Sequence, residues 1–176
     1  EPDLPILHFA SEFIDEIRQS LPELPAQKLA RFISEYGLSQ ADSEVLINDK
    51  ALAGYFEDVV SELQNWFESE NLPADDIKKF AKLACNWITG DFQALLKSAN
   101  IEPQESRVTG ENLAELIKMI DRGEISVTAG KKVLGIMFEK GGDPSNIVQD
   151  EGLAQVSDET AIEQAIDKVV MENQKA

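Results

Sequence analysis

The chain has 176 residues, with 33 Asp and Glu against 16 Lys and Arg, and a formal net charge of -17. This length is enough for one or two globular domains, and a hydrophobic content of 43% argues against wholesale disorder. The excess of acid weighs against a stand-alone nucleic-acid binder, because such proteins neutralise phosphates with Lys and Arg. No apolar run approaches the length of a membrane helix.

The first residues lack the basic and apolar regions of a signal peptide, and there is no initiator methionine. We therefore interpret the chain as a piece of a longer intracellular protein. A single cysteine, Cys85, excludes a disulfide framework, and a single histidine, His8, excludes a site built from paired histidines. We expect Cys85 to be a small buried side chain and His8 to be structural or exposed. No phosphate-binding glycine motif is present, and we expect neither a catalytic residue nor a metal site in this chain.

Amphipathic helices are predicted along the first hundred residues, because apolar residues recur there at the spacing of one helical face. Gly37 directly follows the first stripe, as is typical of a helix C-terminus. Pro73 is expected to open the helix that carries the third stripe. No alternating strand pattern is found, so the sequence predicts an all-α fold. The three stripes are Leu29, Phe32, Ile33 and Tyr36; Leu52, Tyr55, Phe56, Val59, Leu63, Trp66 and Phe67; and Ile77, Phe80, Ala81, Ala84, Trp87 and Ile88.

A polar stretch interrupted by Pro103 divides the pattern. We predict a helical middle domain over residues 1–100, a linker over 101–109 and a small tail domain over 110–176. A long loop inside one domain is the alternative. The tail is expected to be a three-helix bundle with one additional short helix.

Local signals place the tail helices. Gly123 is expected to end the first and Ser126 to cap the second, which should end at Gly141-Gly142. Asp143-Pro144 has the cap and first-turn proline of a short helix, and the last helix should begin at Ser157. The predicted buried faces are Leu113, Leu116, Ile117 and Ile120; Gly130, Val133, Leu134, Met137 and Phe138; and Ile162, Ala165, Ile166, Val169 and Val170.

One window of the tail is basic inside this acidic chain. Residues 118–140 contain three acids and five bases, namely Lys118, Arg122, Lys131, Lys132 and Lys140. If the first two tail helices pack antiparallel, the two pairs Lys118 with Arg122 and Lys131 with Lys132 should border one surface. That surface is a candidate contact for phosphates, and an ordinary solvated charged face is the alternative.

Short motifs follow one another in a characteristic order. The first hundred residues contain Glu1-Pro2-Asp3-Leu4-Pro5, Leu21-Pro22-Glu23-Leu24-Pro25, Tyr55-Phe56-Glu57 and Asn86-Trp87-Ile88; the tail contains Gly123-Glu124-Ile125-Ser126, Gly141-Gly142-Asp143-Pro144 and Gly152-Leu153-Ala154-Gln155-Val156-Ser157-Asp158. In this order they resemble the C-terminal half of the B subunit of the glutamyl/aspartyl-tRNA amidotransferases, with its cradle-like helical middle domain and YqeY-like tail. The resemblance covers essentially the whole chain.

The resemblance implies a parent enzyme that is a heterotrimer of A, B and C subunits. That enzyme converts Glu-tRNA(Gln) to Gln-tRNA(Gln), and often Asp-tRNA(Asn) to Asn-tRNA(Asn), using glutamine and ATP. The A subunit releases ammonia from glutamine. The N-terminal domain of the B subunit, with ATP and Mg²⁺, phosphorylates the misacylated carboxylate and then amidates it. That domain would precede Glu1, so no cofactor is expected in this part.

The resemblance assigns tRNA recognition, by the elbow and the D-loop, to the middle and tail domains. The predicted contacts to the tRNA backbone are Lys118, Arg122, Lys131, Lys132 and Lys140. The expected partners are tRNA(Gln), often tRNA(Asn), and the A and C subunits of the amidotransferase, without a membrane. The expected location is cytoplasmic, or organellar in a eukaryote.

Two positions depart from the family. Tails of the family commonly have alanine at Gly130, so either the helix is weakened there or a neighbouring element approaches closely. A further lysine is common in family tails where this chain has Thr128, so the resemblance does not carry over a phosphate contact at this position. The alternative function is an acidic, all-helical protein–protein interaction module with no role in RNA binding.

Overall fold

The computed structural model describes residues 10, 11, 13, 23–73 and 76–154. This part of the chain is helical and contains no strand, which confirms the predicted all-α fold. The predicted helix from Ser157 and the side chain of His8 lie outside the described residues. The helices are α1 (Pro25–Tyr36), α2 (Gln40–Ile47), α3 (Lys50–Ser69), α4 (Ile77–Trp87), α5 (Gln93–Ala99), α6 (Gly110–Asp121), α7 (Val127–Lys140) and α8 (Pro144–Asp150).

Several helix ends follow local sequence signals, although α4 begins at Ile77 and not at the predicted Pro73. Gly37 ends α1 in the left-handed conformation, with φ of 65°, as predicted. The hydroxyl of Ser126 caps α7 by accepting a hydrogen bond from the Ala129 amide at 3.1 Å. Asp143 caps α8 in the same way, and Pro144 is the first residue of that helix. These predictions are confirmed. They could be made from the sequence because each cap depends only on neighbouring residues.

Helices α4 and α5 form one continuous helical segment through a π-helical segment, Ile88–Phe92. The hydroxyl of Thr89 donates a hydrogen bond to the carbonyl of Cys85 at 2.8 Å, just before the wider turn. A π-helical turn inserts one extra residue and so changes the face on which the following side chains lie. Asp91 of this segment faces α7, where it meets Lys131.

Helix α3 lies at the centre of the described core and packs against α4 and α6. Phe56, Val59 and Leu63 of α3 are fully buried, as are Leu113 and Leu116 of α6. A methyl group added at Gly110 would lie 3.3 Å from the backbone nitrogen of Val59, so the start of α6 approaches the backbone of α3 closely.

The predicted linker contributes to this core. Residues 103–105 form a 3-10 turn, and Val108 is buried. The hydroxyl of Tyr55 in α3 donates a hydrogen bond to the carbonyl of Val108 at 3.0 Å. The division into domains at 101–109 stays a prediction, and the described helices on its two sides share one hydrophobic cluster.

Most positions of the predicted apolar faces are buried, but Ile33 is exposed and six others are only half-buried. Ile33 is 39% exposed, so the described residues leave it partly uncovered. The half-buried positions are Leu29, Tyr36, Trp66, Ile77, Ile120 and Phe138. Trp66 lies near the end of α3, where its ring makes edge-to-face contacts with Phe67 and Phe80 and also contacts two cations at the C-terminal end of α6.

Gly130 marks the close approach that the sequence left as one of two alternatives. A Cβ atom at this position would lie 2.6 Å from Cδ1 of Ile120 and 3.3 Å from the ring of Trp87. Contacts below 3.0 Å essentially never occur between real Cβ atoms and their neighbours. The glycine therefore lets α7 approach α6 and the end of α4.

Candidate functional site

Lys118 and Arg122 lie together at the C-terminal end of α6, over the ring of Trp66. The ammonium nitrogen of Lys118 is 5.4 Å from the ring centroid, and the guanidinium carbon of Arg122 is 5.2 Å from it. Both distances are those of cation–π contacts. The ring itself is held by edge-to-face contacts with Phe67 and Phe80, with centroids 5.0 and 5.3 Å away. The side chains of Lys118 and Arg122 thus both pack on the ring of Trp66, which belongs to α3.

Arg122 also forms a two-pronged contact with Glu70, just after α3. Its Nη2 atom donates to both carboxylate oxygens, at 2.7 and 2.8 Å. Hydrogen bonds from Trp66 and then from Arg122 lower the pKa of the Glu70 carboxyl. The hydrogen bond to Glu70 in turn raises the pKa of Arg122, so the pair is fully charged at neutral pH.

The other three cations lie on or at the end of α7 and have different surroundings. Lys131 is 3.1 Å from Asp91 of the π-helical segment. Lys132 donates to Glu151, after α8, at 2.7 Å, and this hydrogen bond lowers the pKa of Glu151. Lys140 is exposed in the last turn of α7 and forms no ion pair with any described residue.

The five predicted contact residues therefore have three kinds of environment. The structure brings Lys118 and Arg122 together on Trp66, and it holds Lys131 and Lys132 on two different acids. Thr128 is exposed one turn before Lys132. The cationic side chains remain accessible: those of Arg122, Lys131 and Lys132 are 45%, 55% and 53% exposed.

Residues outside the basic window complete this candidate surface. Sequence periodicity assigned Trp66 to the core and gave no reason to single out the acids Glu70, Asp91 and Glu151. One signal was available: Trp66 and Glu70 lie four residues apart, hence on one helical face, near the point where α3 ends. The contacts of Asp91 and Glu151 depend on tertiary packing.

No assembled catalytic or metal centre accompanies this surface in the part of the chain that the structure describes. No three side chains of His, Cys, Asp or Glu come close enough there to hold a metal ion. Cys85 is buried, and burial raises the pKa of its thiol to about 11, so it is a protonated packing side chain. This confirms the expectation for Cys85. None of the described helices has both the length and the apolar character needed to cross a bilayer.

Fold and site together define an acidic, helical module. A few of its surface cations contact an aromatic ring or form ion pairs with acidic side chains. The family model described as the GatB domain (GatB_Yqey) matches residues 55–176. The chain is 38% identical over its whole length to the B subunit of the aspartyl/glutamyl-tRNA(Asn/Gln) amidotransferase of Thermotoga maritima, of which it covers 33%. It is 41% identical over 98% of its length to the corresponding B subunit of Clostridium botulinum, again covering 33% of that protein.

The chain belongs to the GatB domain family, which confirms the resemblance of its motifs. It is also 40% identical over 98% of its length to the amidotransferase B subunit of Myxococcus xanthus. The chain spans about a third of the length of these curated relatives.

Proposed function

We propose that this chain is the tRNA-recognition part of an amidotransferase B subunit. The observation that carries the proposal is similarity along the whole chain to proteins named as the B subunit of an aspartyl/glutamyl-tRNA(Asn/Gln) amidotransferase. In this function the basic window contacts the phosphate backbone of tRNA(Gln), and often of tRNA(Asn). The contact residues are Lys118, Arg122, Lys131, Lys132 and Lys140.

The local geometry suits a small number of phosphate contacts. Arg122 bonds both oxygens of the Glu70 carboxylate through Nη2, and its planar guanidinium also suits the oxygens of a phosphate. Lys131, Lys132 and Lys140 are exposed on one helix. The surrounding acidic surface repels RNA that approaches in another orientation, and structured RNA is read mainly by shape.

The parent reaction converts Glu-tRNA(Gln) to Gln-tRNA(Gln), and often Asp-tRNA(Asn) to Asn-tRNA(Asn), in a heterotrimer with the A and C subunits. We assign its ATP and Mg²⁺ to the catalytic domain that the resemblance places before this part. The described residues contain no cluster that fits a metal ion, so no chemical step is assigned to them. The location is cytoplasmic, or organellar in a eukaryote.

A second candidate function is an acidic protein–protein interaction module. The specific observation in its favour is that three of the five cations already have acidic partners. Since these cations are neutralised by acidic side chains, the surface would be less attractive to phosphates. A basic protein would instead bind the excess acidic side chains. The two functions differ in whether tRNA protects the basic window.

The test is a titration of this chain with uncharged tRNA(Gln) from about 50 to 200 mM salt, for the wild type and Lys131→Glu/Lys132→Glu. For the wild type we expect log K to fall with log salt at a slope of about -2 to -4, as three to five phosphate contacts produce. The double variant should bind more weakly and with a shallower slope, while its helicity is unchanged.

The matched control is Lys50→Glu/Lys97→Glu, which makes the same change in net charge at exposed lysines outside the basic window. It should weaken binding much less. Equal losses in the two double variants would show a general charge effect and would contradict the site. Binding of a basic protein, with no protection of the basic window by tRNA, would favour the second function.

A further inference from the structure

Three candidate contact residues are held by acids that come from other elements of the fold. In each pair the cation lies on α7 or at the end of α6, and the acid follows α3, follows α8 or lies in the π-helical segment. The pairs are Arg122–Glu70, Lys131–Asp91 and Lys132–Glu151, with N–O distances of 2.7, 3.1 and 2.7 Å.

These pairs are at the surface, so they contribute little to folding. Their side chains are between 38% and 55% exposed, and exposed ion pairs stabilise proteins only weakly. Other exposed acids lie in the same elements, such as Glu68 in α3 and Asp150 in α8, and form no ion pair with a described residue. Stability alone thus gives no account of why these particular acids face these cations.

The acids bond donor atoms that a phosphate group would also use. Nη2 of Arg122 is directed at both oxygens of Glu70, and the Nζ atoms of Lys131 and Lys132 each face one carboxylate. An RNA phosphate therefore has to share each of these cations with a carboxylate or displace it. In either case the carboxylate remains nearby and repels the phosphate, so a single contact yields little net affinity.

We propose that Glu70, Asp91 and Glu151 are specificity-determining residues that compete with RNA for the cations of the basic window. This inference rests on the proposed function. Non-specific binding of nucleic acid is almost wholly electrostatic, so the competition weakens it most. An RNA of matching shape retains its other contacts and loses proportionally less. The acids thereby improve discrimination at the expense of affinity.

The experiment compares the wild-type chain with Glu70→Gln/Asp91→Asn/Glu151→Gln. Affinities for tRNA(Gln) and for a non-cognate elongator tRNA are measured by fluorescence anisotropy from about 50 to 200 mM salt. We expect the triple variant to bind both RNAs roughly 3- to 30-fold more tightly, as the loss of three exposed competitors implies. The gain should be larger for the non-cognate tRNA, so the ratio of the two affinities should fall.

The matched control is Glu35→Gln/Glu68→Gln/Asp150→Asn, which also removes three negative charges from a formal net charge of -17. These acids are exposed and form no ion pair with any described residue. The control should tighten binding less and leave the affinity ratio unchanged. Equal effects of the two triple variants, or an unchanged ratio in the first, would overturn the proposal.

The outcomes also separate this inference from the function on which it rests. If the wild type binds tRNA and the triple variant without the three acids binds no more tightly, the competition is refuted and tRNA recognition is supported. Binding of tRNA that appears only in the triple variant without the three acids would support both tRNA recognition and the competition. No binding by either chain, even at low salt, would refute tRNA recognition by this chain and the inference with it.

Discussion

At the scale of single residues, Gly130 shows how packing can outweigh helix propensity. Glycine costs about 1 kcal/mol relative to alanine inside a helix. An alanine Cβ atom at this position would nevertheless lie 2.6 Å from Cδ1 of Ile120. Ile120 would have to leave its rotamer, at a cost of about 0.5–1.5 kcal/mol. The two effects are similar in size, so neither alone decides which residue suits the site.

Gly130→Ala should therefore change the free energy of unfolding only slightly. With Ile120→Val, which removes the clashing Cδ1 atom but leaves Cγ1 of that residue at 3.2 Å, the same replacement should stabilise the protein by up to about 1 kcal/mol. Urea unfolding of the four proteins of this cycle measures the coupling, which should exceed about 0.5 kcal/mol. Gly135→Ala is the control, because an added Cβ at Gly135 of α7 meets nothing within 4 Å. It should stabilise both backgrounds alike, and an equal effect of Gly130→Ala in both would contradict the close contact.

At the scale of helices, the sequence predicts where a helix ends better than it predicts which elements that helix packs against. Ser126, Asp143 and Gly37 are recognisable because capping uses donors and acceptors within three residues along the chain. The π-helical segment and the exposure of Ile33 were not predicted, because neither follows from helical periodicity.

The candidate site was predictable only in part, for the same reason. Charge counting located its five cations, but it could not find the acids that hold three of them. Asp91 and Lys131 are forty residues apart in sequence and meet because α7 packs beside the end of α4. Trp66 was assigned to the core from its spacing, and only the packing of α6 shows that part of its ring carries two cations.

The contact between α6 and α8 carries a dependence on pH. Burial raises the pKa of Glu115 in α6, and the charge of Asp143 at the start of α8 raises it further. Asp143 is itself kept ionised, because hydrogen bonding by Ser145 lowers its pKa. The folded protein thus holds more protons on Glu115 than the unfolded chain does, between the ordinary pKa of a glutamate and the raised one. In that interval the free energy of unfolding falls as pH rises.

Glu115→Gln should remove this decrease, because the amide stays neutral and can still donate to Asp143. Relative to the wild type, the variant should gain stability between about pH 4 and 7, as a glutamate with a raised pKa implies. Glu115 is partly exposed, so after screening by solvent we expect a gain below about 1 kcal/mol. Urea unfolding at both pH values measures it. Glu35→Gln, at an exposed position in α1, is the control, and a stability difference independent of pH would refute the assignment.

At the scale of the whole molecule, the shared core has a consequence for how the chain unfolds. Both tryptophans lie between helices that precede and follow residues 101–109: Trp66 beneath Lys118 and Arg122, and Trp87 beside Gly130. Their fluorescence therefore reports on contacts across the predicted linker. Far-UV circular dichroism reports instead on all helices together. A shared core should make the two signals change together, whereas two independent domains should separate them.

We expect one urea transition by both probes, and Tyr55→Phe should shift it as a whole. That variant leaves the carbonyl of Val108 without its hydrogen bond from α3, which should cost about 1–2 kcal/mol without changing the slope of the transition. Tyr36→Phe is the control: the Tyr36 hydroxyl is only half-buried and accepts a hydrogen bond from Arg31 at 3.2 Å, so its loss should cost less. Two resolved transitions, or a shift seen by one probe alone, would instead favour domains that fold separately on either side of residues 101–109. In that case the contacts between α3 and α6 would be too weak to couple the basic window to the rest of the core.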